Sequence, residues 1–202
     1  MLRFDAIPAT VRELLERLAS VPALASFALA GGTSLALRFG HRLSVDLDFF
    51  TREPFSPEEL FVSLSLSDTT VVGRSQNTLT LDARGTKLDF LRHGYPLLVP
   101  VESIDGVQLL SVPDVAAMKL NAIANRGSKK DFFDLCELAK THSLSTMLEW
   151  FEEKYQNSDR FIVLRSLAWF EDAEMEPDPI SMSGLSWDHA KIEVSSMLRA
   201  LG

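Results

Sequence analysis

Hydrophobic and polar positions follow three regimes along this chain. From residue 8 to residue 20, Val11, Leu14, Leu15 and Leu18 recur at helical spacing, and Pro8 suits a first turn, so an amphipathic helix is predicted there. Phe27-Ala28-Leu29-Ala30 is an uninterrupted apolar run, the mark of a short buried strand. A helix is then expected over Thr33–Phe39 and a second strand over Leu43–Phe50. Pro54, Ser56 and Pro57 open a further helix with Glu58 and Glu59 in its first turn. The middle of the chain reads as an antiparallel meander: strands over Thr69–Arg74, Thr78–Asp82 and Thr86–Leu91, turned at Gln76-Asn77 and at Ala83-Arg84-Gly85. Alternation in the third strand puts Lys87, Asp89 and Leu91 on one face and Leu88 and Phe90 on the other.

Beyond a short strand over Val107–Ser111 the pattern turns helical. Ser111 caps a helix running to Arg126, with Pro113 and Asp114 in its first turn. Gly127 ends it, and Ser128 caps a second helix over Lys130–Thr141. Leu144–Tyr155, Ser158–Phe170 and Trp187–Leu201 are further helices, and Glu176–Ser186 is loop-like. The fold class expected is α+β, a mixed sheet flanked by helices with a helical C-terminal half, divided as residues 1–110 and 111–202.

Composition changes this picture little. A length of 202 residues, 46% hydrophobic and 24% charged, is that of a globular chain with one ordinary core or one domain with a helical extension. No apolar run approaches the roughly 20 residues of a membrane span, and the charged N-terminus lacks a signal-peptide core. A cytoplasmic location is expected. Cys136, the single cysteine, has no internal disulfide partner and is expected in the core. The net charge of −8 argues against a surface that coats nucleic acid. It is unevenly spread, however. Lys119, Arg126, Lys129 and Lys130 form a stretch without an acid, and Glu171, Asp172, Glu174, Glu176 and Asp178 a stretch without a base. A local cationic site suits an anionic small molecule or a nucleic-acid end, and the acidic side suits a basic protein partner.

The stretch richest in chemistry is FALAGGTSLALRFGHRLSVDLDFF, Phe27 to Phe50. Gly31 and Gly32 permit a tight turn and close backbone approach, and the helix that follows offers free N–H groups and a positive dipole end to phosphate. Asp46 and Asp48 alternate with Leu47 and Phe49, so on a strand the two carboxylates project together. Two like charges so placed are unfavourable unless a cation lies between them. A divalent cation carrying a triphosphate meets that need, because hard cations take carboxylate oxygens. Gly-Gly alone is a common turn and Asp-x-Asp alone a frequent surface pair; the specificity lies in the combination. Arg38 and Arg42 are close in sequence, with phosphate contact or surface ion pairing as the two readings.

Ala30-Gly31-Gly32, a thirteen-residue spacer and Asp46-Leu47-Asp48-Phe49 resemble the signature of the nucleotidyltransferase (DNA polymerase beta-like) superfamily. The closer wording, GGTSLAL followed by R-x-S-x-D-x-D-F-F, resembles the AbiEii/AbiGii toxin family within it. K-L-x-A-x-x-x-R-x-x-x-K-D-x-x-D-L, from Lys119 to Leu135, is similar to that family's later motifs and follows in the same order.

The resemblance implies transfer of a nucleoside monophosphate from a nucleoside triphosphate to a hydroxyl acceptor, with Mg²⁺ as cofactor. Asp46 and Asp48 would bind the metal, and a third carboxylate would come from a later strand. Asp89 is the candidate for it and Asp82 the runner-up; Lys87 would point into the same site. Gly31, Gly32, Thr33 and Ser34 would hold phosphates. Lys119 would neutralise charge on the triphosphate, and Arg126 and Lys130 would assist. Asp131 would tune a lysine or the acceptor hydroxyl, with Asp134 as the second acid of its motif. A tRNA 3′ end or other RNA as acceptor, and a cognate antitoxin protein as partner, are further implications. The competing reading is a non-catalytic nucleotide-binding or protein-interaction module on the same fold.

Other chemistries find little support. The four histidines lack ligand spacing, Ser34 has no nucleophile elbow, and no Lys-Ser or Lys-Thr follows the glycines as in a Walker motif.

Overall fold

The computed structural model describes residues 1–201 and divides them into two compact units. The first comprises Met1–Arg38, Ser44–Pro96 and Val101–Leu110; the second comprises Phe39–Leu43, Leu97–Pro100 and the chain from Ser111 onward.

The first unit is built on a seven-stranded sheet in the order β3-β4-β5-β2-β1-β7-β6. Its strands are β1 (Ala28–Leu29), β2 (Leu47–Thr51), β3 (Thr69–Ser75), β4 (Thr78–Ala83), β5 (Thr86–Arg92), β6 (Glu102–Ile104) and β7 (Val107–Leu109). β3, β4 and β5 form the expected antiparallel meander. β5 pairs parallel with β2, β2 antiparallel with β1, and β1 parallel with β7, so the sheet is mixed.

Strict alternation decides its faces. Leu47 and Phe49 of β2, Leu79 and Leu81 of β4, and Leu88 and Phe90 of β5 are buried in one core with Leu15 and Leu18. The Phe49 and Phe90 rings stack 5.4 Å apart across the β2–β5 pair, an arrangement that adds to the burial of both. Helix α1 (Ala9–Ala19) supplies the stripe expected of it: Val11, Leu15 and Leu18 are buried and Leu14 packs against them. Helix α2 (Gly31–Phe39) takes in the glycine pair itself, and α3 (Pro57–Leu64) is capped by Ser56, whose side chain accepts from Glu59 N–H.

One strand expectation needs correction, and one strand was not expected. β2 begins at Leu47, not at Leu43, because the preceding backbone is engaged elsewhere. Leu43 N–H donates to Ile180 O, Ser44 N–H donates to Ala6 O, and Thr33 Oγ1 donates to Asp46 O. Asp46 therefore precedes the strand that carries Asp48. The second miss is β6, which pairs with β7 across an Asp105-Gly106 turn with both residues at positive φ; Asp-Gly is a hairpin signal that the sequence did display.

The second unit is helical: α4 (Val112–Asn125), α5 (Lys129–Ala139), α6 (Leu144–Lys154), α7 (Arg160–Leu167), the short α8 (Glu171–Glu174) and α9 (Trp187–Arg199). The helix expected over Ser158–Phe170 stops at Leu167, and α8 follows as a separate turn. α4 is central, packed on α5, α6 and α7, while α9 packs on α5 and α7. Cys136 is buried there as expected, and burial pushes its thiol pKa far up. No helix among the described residues is long and apolar enough to cross a membrane.

Candidate active site

In the sheet unit the carboxylates meet through strand register. Asp48 of β2 lies beside Asp89 of β5, and Asp89 lies beside Thr80 of β4. Since Leu47, Phe49, Leu88 and Phe90 fill the core, the opposite face holds Asp48, Asp89 and Thr80 in one row. Thr80 Oγ1 donates to Asp89 Oδ1 at 2.6 Å, and Lys87 Nζ donates to Asp89 Oδ2 at 2.5 Å. The Lys87 pKa is raised. The hydrogen bond to Asp89 is the largest cause, burial opposes it, and the charges of Asp89, Asp48 and Asp46 add to it. Lys87 therefore sits in the field of all three acids. Asp82 is occupied differently: its Oδ1 accepts from Gly85 N–H at 3.0 Å, the ordinary work of a turn acid.

The head of α2 completes this region. Gly31 has φ of +63°, and a Cβ built there would fall 2.3 Å from Asp48 Oδ2. Only glycine fits, on both counts. The Asp48 carboxylate thus lies directly against the first turn of α2, and Ala30 N–H donates to Asp48 O at 2.8 Å. The Thr33 and Ser34 hydroxyls, expected at phosphate, are buried and used internally. Thr33 shares a hydrogen bond of 2.7 Å with Ser44, and Ser34 donates to Gly31 O at 2.9 Å. These contacts hold the shape of the glycine turn and the approach to β2.

The helical unit contains a second charged cluster. Lys119 Nζ lies 2.9 Å from Asp131 Oδ1 and 2.7 Å from Asp134 Oδ2, with 6% of the lysine side chain exposed and none of either acid. Asp131 also accepts from Ser128 Oγ at 2.7 Å and from Arg126 Nε at 3.2 Å. Asp134 accepts a forked pair from Arg42, Nε at 2.7 Å and Nη2 at 2.9 Å, and lies 2.7 Å from His41 Nε2. Burial works against charge throughout, and the partners outweigh it. Arg42 and Lys119 hold Asp134 well below the usual carboxylate range, Lys119 and Arg126 lower Asp131, and Asp134 and Asp131 raise Lys119. Lys119, expected as a point charge on a triphosphate, is instead enclosed between two carboxylates. Arg126, by contrast, keeps 61% of its side chain exposed, and Lys130 is also exposed. Sequence reasoning missed one residue in each cluster: Thr80 beside Asp89 in the sheet unit, legible only from the β4–β5 register, and His41 beside Asp134 in the helical unit, whose partner is 93 residues away.

Among the described residues no three His, Cys, Asp or Glu side chains stand as a ready metal cage. The donor set nevertheless fits a hard divalent cation, with carboxylate oxygens from neighbouring strands and a glycine where any Cβ would strike Asp48.

A mixed sheet with a Gly-Gly turn against one strand carboxylate and a second carboxylate in register beside it is the arrangement of a nucleotidyltransferase. Comparison with known proteins agrees. The family model described as "Nucleotidyl transferase AbiEii toxin, Type IV TA system" matches residues 13–67 and 67–199. An uncharacterized protein of Aquifex aeolicus (strain VF5) is 42% identical over 176 residues, spanning 82% of this chain and 84% of that protein. Among solved structures, MenT4, a nucleotidyltransferase toxin from Mycobacterium tuberculosis H37Rv, superposes with a TM-score of 0.63 at 17% identity, over 98% of this chain and 85% of that one. JHP933 from Helicobacter pylori gives 0.62 at 18% identity, over 100% and 93%; likenesses this remote show the fold. The chain belongs to the AbiEii nucleotidyltransferase toxin family.

Proposed function

We propose that this protein moves a nucleoside monophosphate from a nucleoside triphosphate to a hydroxyl acceptor, with Mg²⁺ as cofactor and the 3′ end of a tRNA as the acceptor to test first. The observation that carries the reading is the register pairing of Asp48 with Asp89, with the Asp48 carboxylate against the Gly31 turn. Asp46, Asp48 and Asp89 would hold the metal, which when bound supplies a Lewis acid for the phosphate oxygens and the attacking hydroxyl. The acceptor oxygen attacks the α-phosphorus while the bond to the bridging oxygen breaks, and pyrophosphate leaves with the electron pair. Asp89 takes the hydroxyl proton. Gly31 and Gly32 offer backbone N–H groups to the phosphates at the head of α2, and Lys87 contributes a cation. Within the helical unit, Lys119 and Asp131 act by fixing the helices that carry Arg126 and Lys130. As a toxin of this family, the protein would be restrained by an antitoxin protein.

The test is incubation of the purified protein with Mg²⁺, each nucleoside triphosphate radiolabelled at the α-phosphate, and total bacterial RNA. Label on a small-RNA band, absent with Asp48→Asn, is the expected result. Full labelling by Asp48→Asn would overturn the site, and labelling confined to protein would overturn the acceptor.

A further inference from the structure

Asp89 is not held by Lys87 and Thr80 in the same way. Thr80 lies directly across the β4–β5 register, on a strand paired on both sides, and its hydroxyl reaches Asp89 Oδ1 at 2.6 Å. A short, β-branched side chain on a paired strand has few χ1 positions to choose from. Lys87 approaches the other oxygen at 2.5 Å from a long flexible stem, and 55% of its side chain is exposed against 12% for Asp89. The prop is fixed and the cation is movable.

We propose that Lys87 is the resting counter-ion of the carboxylate row and that Thr80 is the positioning residue that keeps Asp89 in place when Lys87 leaves. The inference rests on the metal-site reading above and adds an exchange to it. Without metal, the Lys87 ammonium, bonded to Asp89, neutralises part of the charge of Asp89 and Asp48 on the sheet face and of Asp46 just before β2. Occupation of Asp89 Oδ2 by a divalent cation displaces Lys87, and the released ammonium, still anchored two residues away, turns to the phosphates of the incoming nucleotide. Thr80 keeps Oδ1 occupied, so the carboxylate presents Oδ2 without rotating. Metal binding and nucleotide binding are thereby coupled through one lysine. Because the exchange only trades partners for Lys87, the competition it imposes on the metal is modest, about two- to fivefold, as expected for a half-exposed ion pair.

Trace acetylation of lysines, read by mass spectrometry, tests the exchange without reference to activity. Mg²⁺ alone should raise the labelling of Lys87 in the full-length protein while leaving Lys154, which is buried with Asp114, unchanged. Mn²⁺ binding, read as loss of the free-ion electron paramagnetic resonance signal, should tighten about two- to fivefold in Lys87→Met. It should weaken in Thr80→Val and be restored in Thr80→Ser. Unchanged Lys87 labelling in a protein whose Mn²⁺ binding is lost in Asp89→Asn would overturn the exchange and leave the metal site standing. Equal Mn²⁺ binding by Thr80→Val and Thr80→Ser would overturn the positioning role. Absence of Mn²⁺ binding in the wild-type protein would overturn both the exchange and the site beneath it.

Discussion

The two charged clusters of this protein are made of the same residue types and have opposite characters. In the sheet unit, Lys87 meets Asp89 with more than half of the lysine exposed, and the neighbouring Asp48 adds charge without closing the cluster. In the helical unit, Lys119 meets Asp131 and Asp134 with almost nothing exposed, and the buried His41, Arg42 and Ser128 complete the shell, with Arg126 reaching Asp131 from the surface. An acid whose partners are fixed, buried and numerous is a structural element, since removing any one of them strands a charge in the interior. An acid whose counter-ion is mobile and half in water retains the freedom to exchange ligands. The identity of a motif residue therefore says less about chemistry than the degree to which its neighbours enclose it.

Breaking the closed cluster should give the largest effect. Asp134→Asn leaves Lys119 and Arg42 buried without their shared counter-ion, and should cost about 3–5 kcal/mol of stability. All three tryptophans, Trp150, Trp169 and Trp187, lie in the helical unit, so urea unfolding followed by tryptophan fluorescence reports it. An unchanged midpoint would place Asp134 on the chemical side of the comparison.

Asp48→Asn should behave oppositely. It relieves repulsion on the sheet face, so the unfolding midpoint should hold, while transfer should fall by about 10²–10³ if its charge stabilises the transition state. Simultaneous loss of both would show that the open cluster is structural too.

Next in size is Gly31→Ala. A methyl there meets Asp48 Oδ2 and the backbone lies at positive φ, which together should cost about 1–3 kcal/mol and displace the carboxylate. Thermal unfolding with a parallel transfer assay measures both parts; a stable, active Gly31→Ala protein would mean that the turn can relax.

The smallest effect is the pH dependence of the closed cluster. Asp131 and Asp134 have folded pKa values below their ordinary ones. Their contribution is therefore present above the unfolded value, about 3.9, and is lost as pH falls through the lower folded values. Lys119 is raised, so its contribution is present below about 10.4 and is lost as pH climbs through the folded value. Fluorescence-detected unfolding should show a plateau between these limits, and the acid limb should flatten in Asp134→Asn.

Much of this was legible in the sequence. Alternation located β3, β4 and β5, the face of Asp89 and the core residues Leu88 and Phe90, because a strand with one buried face cannot slip by one residue without exposing its apolar side. The cap at Ser111, whose side chain accepts from Asp114 N–H, was equally plain. What the sequence could not show was enclosure. Lys119 in a run of cations looks like a phosphate ligand until Asp131 and Asp134 are seen to turn inward beneath it, and Thr33 and Ser34 look like phosphate hydroxyls until Ser44 and the Asp46 carbonyl are found beside them. The start of β2 was misread for a related reason: Leu43 through Asp46 have strand-like side chains, but their backbone partners lie far away in sequence, at Ala6, Thr33 and Ile180.

Arg42 and His41 come from a five-residue excursion, Phe39–Leu43, that belongs to the helical unit although it runs from the last residue of α2 toward β2. The two units are therefore not separable cassettes of the gene. A hybrid joined at a single point near residue 110 would inherit Asp134 and Lys119 from one parent and Arg42 and His41 from the other. Any drift in Arg42 would be felt by a residue encoded 92 positions downstream. Exchange of helical halves between relatives should succeed only when residues 39–43 travel with them, so the lineage of this protein is expected to record paired change at Arg42 and Asp134 rather than the free shuffling of modules.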